Sequence, residues 1–229
     1  MDKSNSFKSI AIVTVAFSII WTGLSAIFNI FAKAGYNEFF KNTDTIFWHV
    51  TAPMGLTFIL FFGYLVYKGK VKQVYQRQPE IQSTLLKWVA GLITVAMLLF
   101  AIYNFYKNFT DIFNNWNSDS LSRIVMACIA TMLVGLTEES VFRGYALSQF
   151  RQENSEFKSY LFSVILFGFW HLPNIISGAP VAQAAAQTLS TMLIGSGLYL
   201  SVRFCRSVFG GMALHWLWDF ALVIAIDRI

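Results

Sequence analysis

Seven long apolar runs, separated by short polar ones, order the chain. They fall at about residues 10–31, 46–67, 88–106, 121–150, 159–176, 182–202 and 208–226. A helix needs ~20 apolar residues to cross a bilayer, and runs of this length approach or exceed that. A transmembrane barrel would need short alternating segments, and none is visible. The pattern predicts an all-α, polytopic transmembrane helical bundle of about seven spans, because helices satisfy their own backbone in lipid. No repeat or domain boundary interrupts it, so residues 1–229 read as one membrane-embedded domain. The first run follows Lys3 and Lys8 and is longer than the ~7–15-residue apolar region of a signal peptide. Ala32-Lys33-Ala34 has some likeness to a cleavage site, yet the run reads as a retained first span. Pro53 predicts a kink in the second run. The sixth run is rich in Ala, Ser, Thr and Gly, which suits close helix packing.

Composition agrees with the pattern. The chain is 56% hydrophobic and 13% charged, with mean hydropathy +0.55. A soluble domain carries about 25% charged residues. The net charge of +5 does not point to nucleic acid, because the basic residues sit in loops, where they report membrane topology. The loop after the second run carries Lys68, Lys70, Lys72, Arg77 and Lys87. Arg151 and Lys158 follow the fourth run, and Arg203 and Arg206 bracket a tight turn after the sixth. The loop after the fifth run has no Lys or Arg. The count predicts a multi-pass cell-membrane protein with a cytoplasmic N-terminus. Cys128 and Cys205 are far apart and fit neither a disulfide framework nor a metal knuckle; they read as packing residues.

One stretch breaks the apolar pattern from inside. Glu138, Glu139 and Arg143 interrupt the fourth run, downstream of an uncharged segment from Ile124 to Leu136. Charges at membrane depth are costly and mark functional sites by default. Glu139 and Arg143, at i, i+4, can pair along one helix face. Glu138 points ~100° away and is left to face a cavity, as a general base would. At ~1.5 Å per residue, Glu138 lies ~18 Å from the cytoplasmic end of its run. The same rise puts His171 ~20 Å, His215 ~12 Å and Asp219 ~18 Å from theirs. Three spans thus bring polar groups to a similar depth. Phe167 and His171 share one face, as do His215 and Asp219. Two histidines and a carboxylate on facing helices can polarise water or stabilise an oxyanion. Trp170, Trp216 and Trp218 flank them and would wall the site from lipid.

Each signal has a plainer reading. A buried Glu–Arg pair can simply lock helices, His171 can be a packed polar residue, and His215 with Asp219 can be a helix–helix hydrogen bond. Pro173 can simply break the helix and Asn174 cap the break. His49, in the second run without a partner motif, reads as structural or interfacial. Two histidines with carboxylates can hold zinc, but the helical signature of two His at i, i+4 with an intervening Glu is absent. No serine sits in a nucleophile elbow.

Taken together, Glu138-Glu139-Ser140-Val141-Phe142-Arg143, Phe167-Gly168-Phe169-Trp170-His171 and His215-Trp216-Leu217-Trp218-Asp219 resemble the three motifs of the CAAX protease and bacteriocin-processing (CPBP, or Abi) family. The resemblance covers a motif-bearing core of about 121–229; the first three runs carry no marker of it. It implies an intramembrane endopeptidase acting on a membrane-associated or lipidated peptide or protein. By the same analogy Glu138 activates water with His171, His215 and residue 219 stabilise the oxyanion, and Glu139 and Arg143 shape the site. A family once thought to use zinc is read here as needing no cofactor. The prenyl-protease branch has Asn where this chain has Asp219. An ionised Asp cannot donate a hydrogen bond, so Asp219 either stays protonated or orients His215; the second is expected. The sequence ends ten residues after Asp219, which leaves out a further span of some relatives. Two other roles would also use such charges. One is a non-proteolytic partner such as a bacteriocin immunity protein or scaffold, and the other a transporter with a proton relay.

Overall fold

A computed structural model describes residues 3–224. Among them every regular element is helical: α1 (Lys3–Phe28), α2 (Thr43–Ile46), α3 (Ala52–Tyr67), α4 (Val71–Val74), α5 (Thr84–Asn114), α6 (Ser120–Glu139), α7 (Leu147–Phe150), α8 (Glu156–Phe169), α9 (Val181–Cys205) and α10 (Val208–Val223). Among the described residues, four helical stretches are long and apolar enough to cross a membrane: Phe7–Phe28, Thr43–Tyr67, Thr84–Asn114 and Ser120–Phe150. α10 is apolar but shorter. The expected end of the seventh run, residues 225–226, lies outside the described residues.

Local chemistry sets the helix starts. Ser83, Ser155 and Ser207 cap α5, α8 and α10 through their hydroxyls, and Asn42 caps α2 reciprocally with Thr45. These side chains satisfy amide groups that have no partner within the helix. Two π-helical segments, Phe47–Thr51 and Ser140–Ala146, lie inside the second and fourth long stretches. The first ends just before Pro53, where the kink was expected. The second falls on the charged motif itself, and such segments concentrate at functional sites.

α8 differs from its expected span. It ends at Phe169, and a 3₁₀ turn over Leu172–Ile175 follows. Pro173 has no amide hydrogen to continue the helix. His171 therefore stands at a corner rather than on a continuous helix face. α5 runs eight residues past the end of the third apolar run, into the polar stretch that precedes the fourth.

α10 lies among α6, α5 and α9, and α9 packs on α8 and α5. Outward faces carry exposed Ile12, Leu60, Leu92 and Leu99. In water these would be an aggregation liability; against lipid chains they are the natural surface. The loops expected on one side of the membrane do meet. Arg151 donates to Gln78 and Glu156, and Arg203 pairs with Glu156 and donates to the Pro79 carbonyl. At the other end Asn174 donates to the Tyr36 hydroxyl and Thr43 to Asp119.

The basic loop after α3 is more than a linker. α4 tucks Val74 fully under the second π segment, where a Cβ on Gly144 would stand 3.1 Å from the Val74 carbonyl oxygen. The Tyr75 and Ser140 hydroxyls hydrogen-bond at 2.9 Å. Residues 71–81 thus form a strap beneath the charged motif, tied down by Arg151, Arg203 and Arg206.

Candidate active site

The charged motif is built first by helix geometry. Arg143 and Glu139 pair at 2.8 Å, as their spacing predicts, with both side chains fully buried. The other arm of the guanidinium donates to the Gly195 carbonyl oxygen at 2.8 Å. Its face lies over the Phe167 ring, 4.1 Å from the centroid. A planar fork can satisfy a carboxylate, a carbonyl and a ring at once. Gly195 allows the approach, since a Cβ there would stand 2.6 Å from the Phe167 ring and 3.0 Å from the guanidinium.

Phe167 is the hub of the pocket. Its ring also meets His171 and His215 edge-on, at 5.4 and 5.9 Å. The aromatic position of the second motif thereby gains a physical role. It keeps the arginine and both imidazoles at fixed spacing.

Glu138 is 2% exposed. Its Oε1 accepts the Trp170 indole N–H at 2.8 Å and stands 4.0 Å from His171 Nε2. Its Oε2 stands 3.8 Å from His215 Nε2 and has no hydrogen-bond partner among the described residues. His171 Nδ1 lies 3.1 Å from the Phe167 carbonyl oxygen. A carbonyl only accepts, so Nδ1 carries the proton and Nε2 is left to accept. Glu138 and His171 thus turn two acceptors toward one another, spaced for a shared water molecule.

His215 sits among three carboxylates. Nδ1 is 3.1 Å from Glu139 Oε1, and Nε2 is 3.4 Å from Asp219 Oδ2 as well as 3.8 Å from Glu138. Ionised carboxylates only accept, so the ring is placed to donate on both sides. Asp219 is the most open member of the site, with a side chain 28% exposed.

All six expected residues, Glu138, Glu139, Arg143, His171, His215 and Asp219, therefore converge. Three contacts were missed in the sequence. Helical spacing assigns Glu139 to Arg143 alone, but it also holds His215, from the helix that packs on its own. In the sequence Trp170 is only a wall, whereas in the structure it binds Glu138; its place beside His171 is the available signal. Gly195 had no signal beyond the small-residue composition of α9. Trp216 and Trp218 stay peripheral, the first donating to the Cys128 carbonyl and the second stacked on Phe100. His49 lies elsewhere, stacked on Phe39 and bonded to the Ala32 carbonyl oxygen, as its structural reading expects.

Glu138, His171 and His215 come nearest to a metal-ligand set. Ligands of one tetrahedral zinc, at about 2.0–2.2 Å from it, stand about 3.3–3.6 Å apart. The separations of 4.0 and 3.8 Å are wider, and Oε1 is already bonded to Trp170. Among the described residues no group of three or more His, Cys, Asp or Glu is spaced to hold a metal ion.

Residues 119–221, from the start of α6 through most of α10, match the family model described as Type II CAAX prenyl endopeptidase Rce1-like. No curated protein and no solved structure matches the chain. All six converging residues lie inside the matched segment. The family that the three motifs resemble is the one whose model matches, and over this segment the chain is similar to the CAAX proteases.

Proposed function

We propose that the protein is an intramembrane endopeptidase that hydrolyses a peptide bond in a membrane-associated or lipidated substrate with water activated by Glu138. The observation that carries this reading is the pair of facing acceptors, Glu138 and His171, 4.0 Å apart and both buried. Water held between them loses a proton to Glu138 as its oxygen attacks the scissile carbonyl. The oxyanion that forms meets the donor face of His215. Glu138 then returns the proton to the leaving amine, and the carbon–nitrogen bond breaks. No serine or cysteine nucleophile and no cofactor enters this scheme.

Asp219 has a positioning role in it. It holds the Nε2 edge of His215 by its charge, 3.4 Å away, and shares that N–H with the oxyanion, while Glu139 holds the opposite nitrogen. The Asp219→Asn variant should lower kcat about tenfold or more, because an uncharged amide holds the ring more weakly. Full activity in that variant would remove the need for a charged residue at 219.

The membrane arrangement belongs to the same reading. The chain crosses about seven times, with α8, α9 and α10 completing the bundle and the N-terminus in the cytoplasm. Cysteine labelling from either side at positions 8 and 178, in a background lacking Cys128 and Cys205, tests it. Position 8 should label from the cytoplasm and position 178 from outside.

The decisive experiment uses purified protein in proteoliposomes with a library of membrane-anchored, lipidated and plain peptides. Wild type should cleave, and Glu138→Ala and Glu138→Gln should not. A chelator should leave the rate unchanged. Cleavage that survives Glu138→Ala would overturn the mechanism. Loss of activity with chelator, restored by zinc, would overturn its metal-free form.

A further inference from the structure

Trp170 is held more firmly than a wall residue needs to be. Its ring is 2% exposed. It stacks parallel to Trp21 of α1, with centroids 6.5 Å apart and planes 4° from parallel, and meets Phe142 edge-on at 5.4 Å. Its carbonyl oxygen accepts the Ser18 hydroxyl of α1 at 2.6 Å. The same residue caps the end of α8, where the chain turns into the 3₁₀ segment. Ring, backbone and helix end are thus fixed from three directions. The group they fix in space is one indole N–H, 2.8 Å from Glu138 Oε1.

We propose that Trp170, buttressed by Ser18 and Trp21, is the positioning residue that locks the Glu138 carboxylate for catalysis. The proposal rests on the peptidase reading for its kinetic consequence, but the clamp itself can be tested without activity. An indole N–H donates, cannot accept and does not titrate. It can therefore hold one carboxylate oxygen at every stage of a reaction in which the other groups exchange protons. Lys or His in its place would compete for the proton that Glu138 must take and return. With one lone pair of Oε1 anchored by the indole, the other stays turned toward His171 Nε2, 4.0 Å away, where the water is held, and Oε2 faces His215. Trp170 selects the oxygen and the rotamer, while Glu138 does the chemistry. The clamp also gives α1 a part in the site. Ser18 and Trp21 lie outside the matched residues 119–221, and they reach Glu138 through Trp170.

Two readouts separate this from simple packing. The first is kinetic. Trp170→Phe keeps an aromatic ring and loses the N–H. It should lower kcat about 10- to 100-fold, as expected for one hydrogen bond lost from an ion, with KM within about twofold and little change in melting temperature. Trp21→Phe and Ser18→Ala should lower kcat a few-fold in the same sense. The second readout is spectroscopic. In full-length protein with ¹⁵N-labelled tryptophan, the Trp170 indole N–H resonance should move strongly on Glu138→Gln, and that of exposed Trp116 should not. The resonance is assigned by its loss in Trp170→Phe. If that variant does not fold, it is assigned by elimination with the six other single Trp→Phe variants. Wild-type kcat in folded Trp170→Phe, or an unmoved Trp170 resonance in Glu138→Gln, would overturn the proposal. If wild type cleaves no peptide, the peptidase reading falls and the resonance alone decides the clamp.

Discussion

At the scale of single residues, Glu139 carries more than its spacing suggests. It balances the buried charge of Arg143 and also holds His215 Nδ1. Removing it should therefore cost stability and rate together. Glu139→Ala leaves a guanidinium buried without its counter-charge, a loss on the order of 3–5 kcal/mol. Thermal or denaturant unfolding in detergent should show that drop, and kcat should fall as His215 loses its anchor. A variant as stable as wild type would mean that the Gly195 carbonyl and the Phe167 ring alone compensate Arg143. The Glu139–Arg143 half of this was legible, because i, i+4 spacing is a property of one helix. The Glu139–His215 half was not. Those residues are 76 positions apart, and only the packing of α6 on α10 brings them together.

At the scale of elements, the site depends on two interruptions and one close approach. The fourth long helix widens to a π segment at Ser140–Ala146, and α8 stops short of His171. Pro173 announced the second interruption. Nothing in Ser140-Val141-Phe142-Arg143 announced the first, since apolar periodicity cannot register one extra residue per turn. The close approach is α9 against α8 and the arginine, at Gly195. Gly195→Ala would push a methyl group into the Phe167 ring and the guanidinium. Overpacking of this kind costs about 1–3 kcal/mol. Because Phe167 also touches both histidines, the variant should lose most of its activity while still folding. Unfolding curves and kcat, measured side by side, test this. Unchanged activity would show that α9 can shift without disturbing the rings.

At the scale of the whole molecule, the loops of one end are tied by charge. Glu156 joins Arg151, Arg203 and the Tyr199 hydroxyl. Burial pushes its pKa up, but the Arg151 and Tyr199 hydrogen bonds and the two arginine charges prevail and hold it below its ordinary value. A carboxylate held low stabilises the fold above its unfolded pKa, and that contribution is lost as pH falls through the folded value. The melting-temperature gap between wild type and Glu156→Gln should therefore be steady near neutral pH and close on acidification through the carboxylate range. A gap that widens in acid would contradict the assignment. The membrane class, the loops that share a side and the convergence of the six candidate residues were legible at this scale, because lipid imposes long apolar runs and makes buried charge conspicuous. The strap under the motif and the part played by α1 were not. Val74, Ser18 and Trp21 are ordinary residues, made special only by what they touch.

The pocket also has a sign. Three carboxylates, from Glu138, Glu139 and Asp219, face one guanidinium and two imidazoles. With His171 neutral, as its bond to the Phe167 carbonyl sets it, the set carries one net negative charge even when His215 is charged. A peptide's own terminal carboxylate, drawn in beside the scissile bond, would meet repulsion of about 4 kcal/mol per like charge at 4 Å in a surface-like dielectric. Such a pocket should refuse the last bond of a chain and accept bonds further in. Matched peptides ending in a free acid or an amide would show it. Amidation should raise cleavage of bonds next to the terminus and leave distant bonds unchanged.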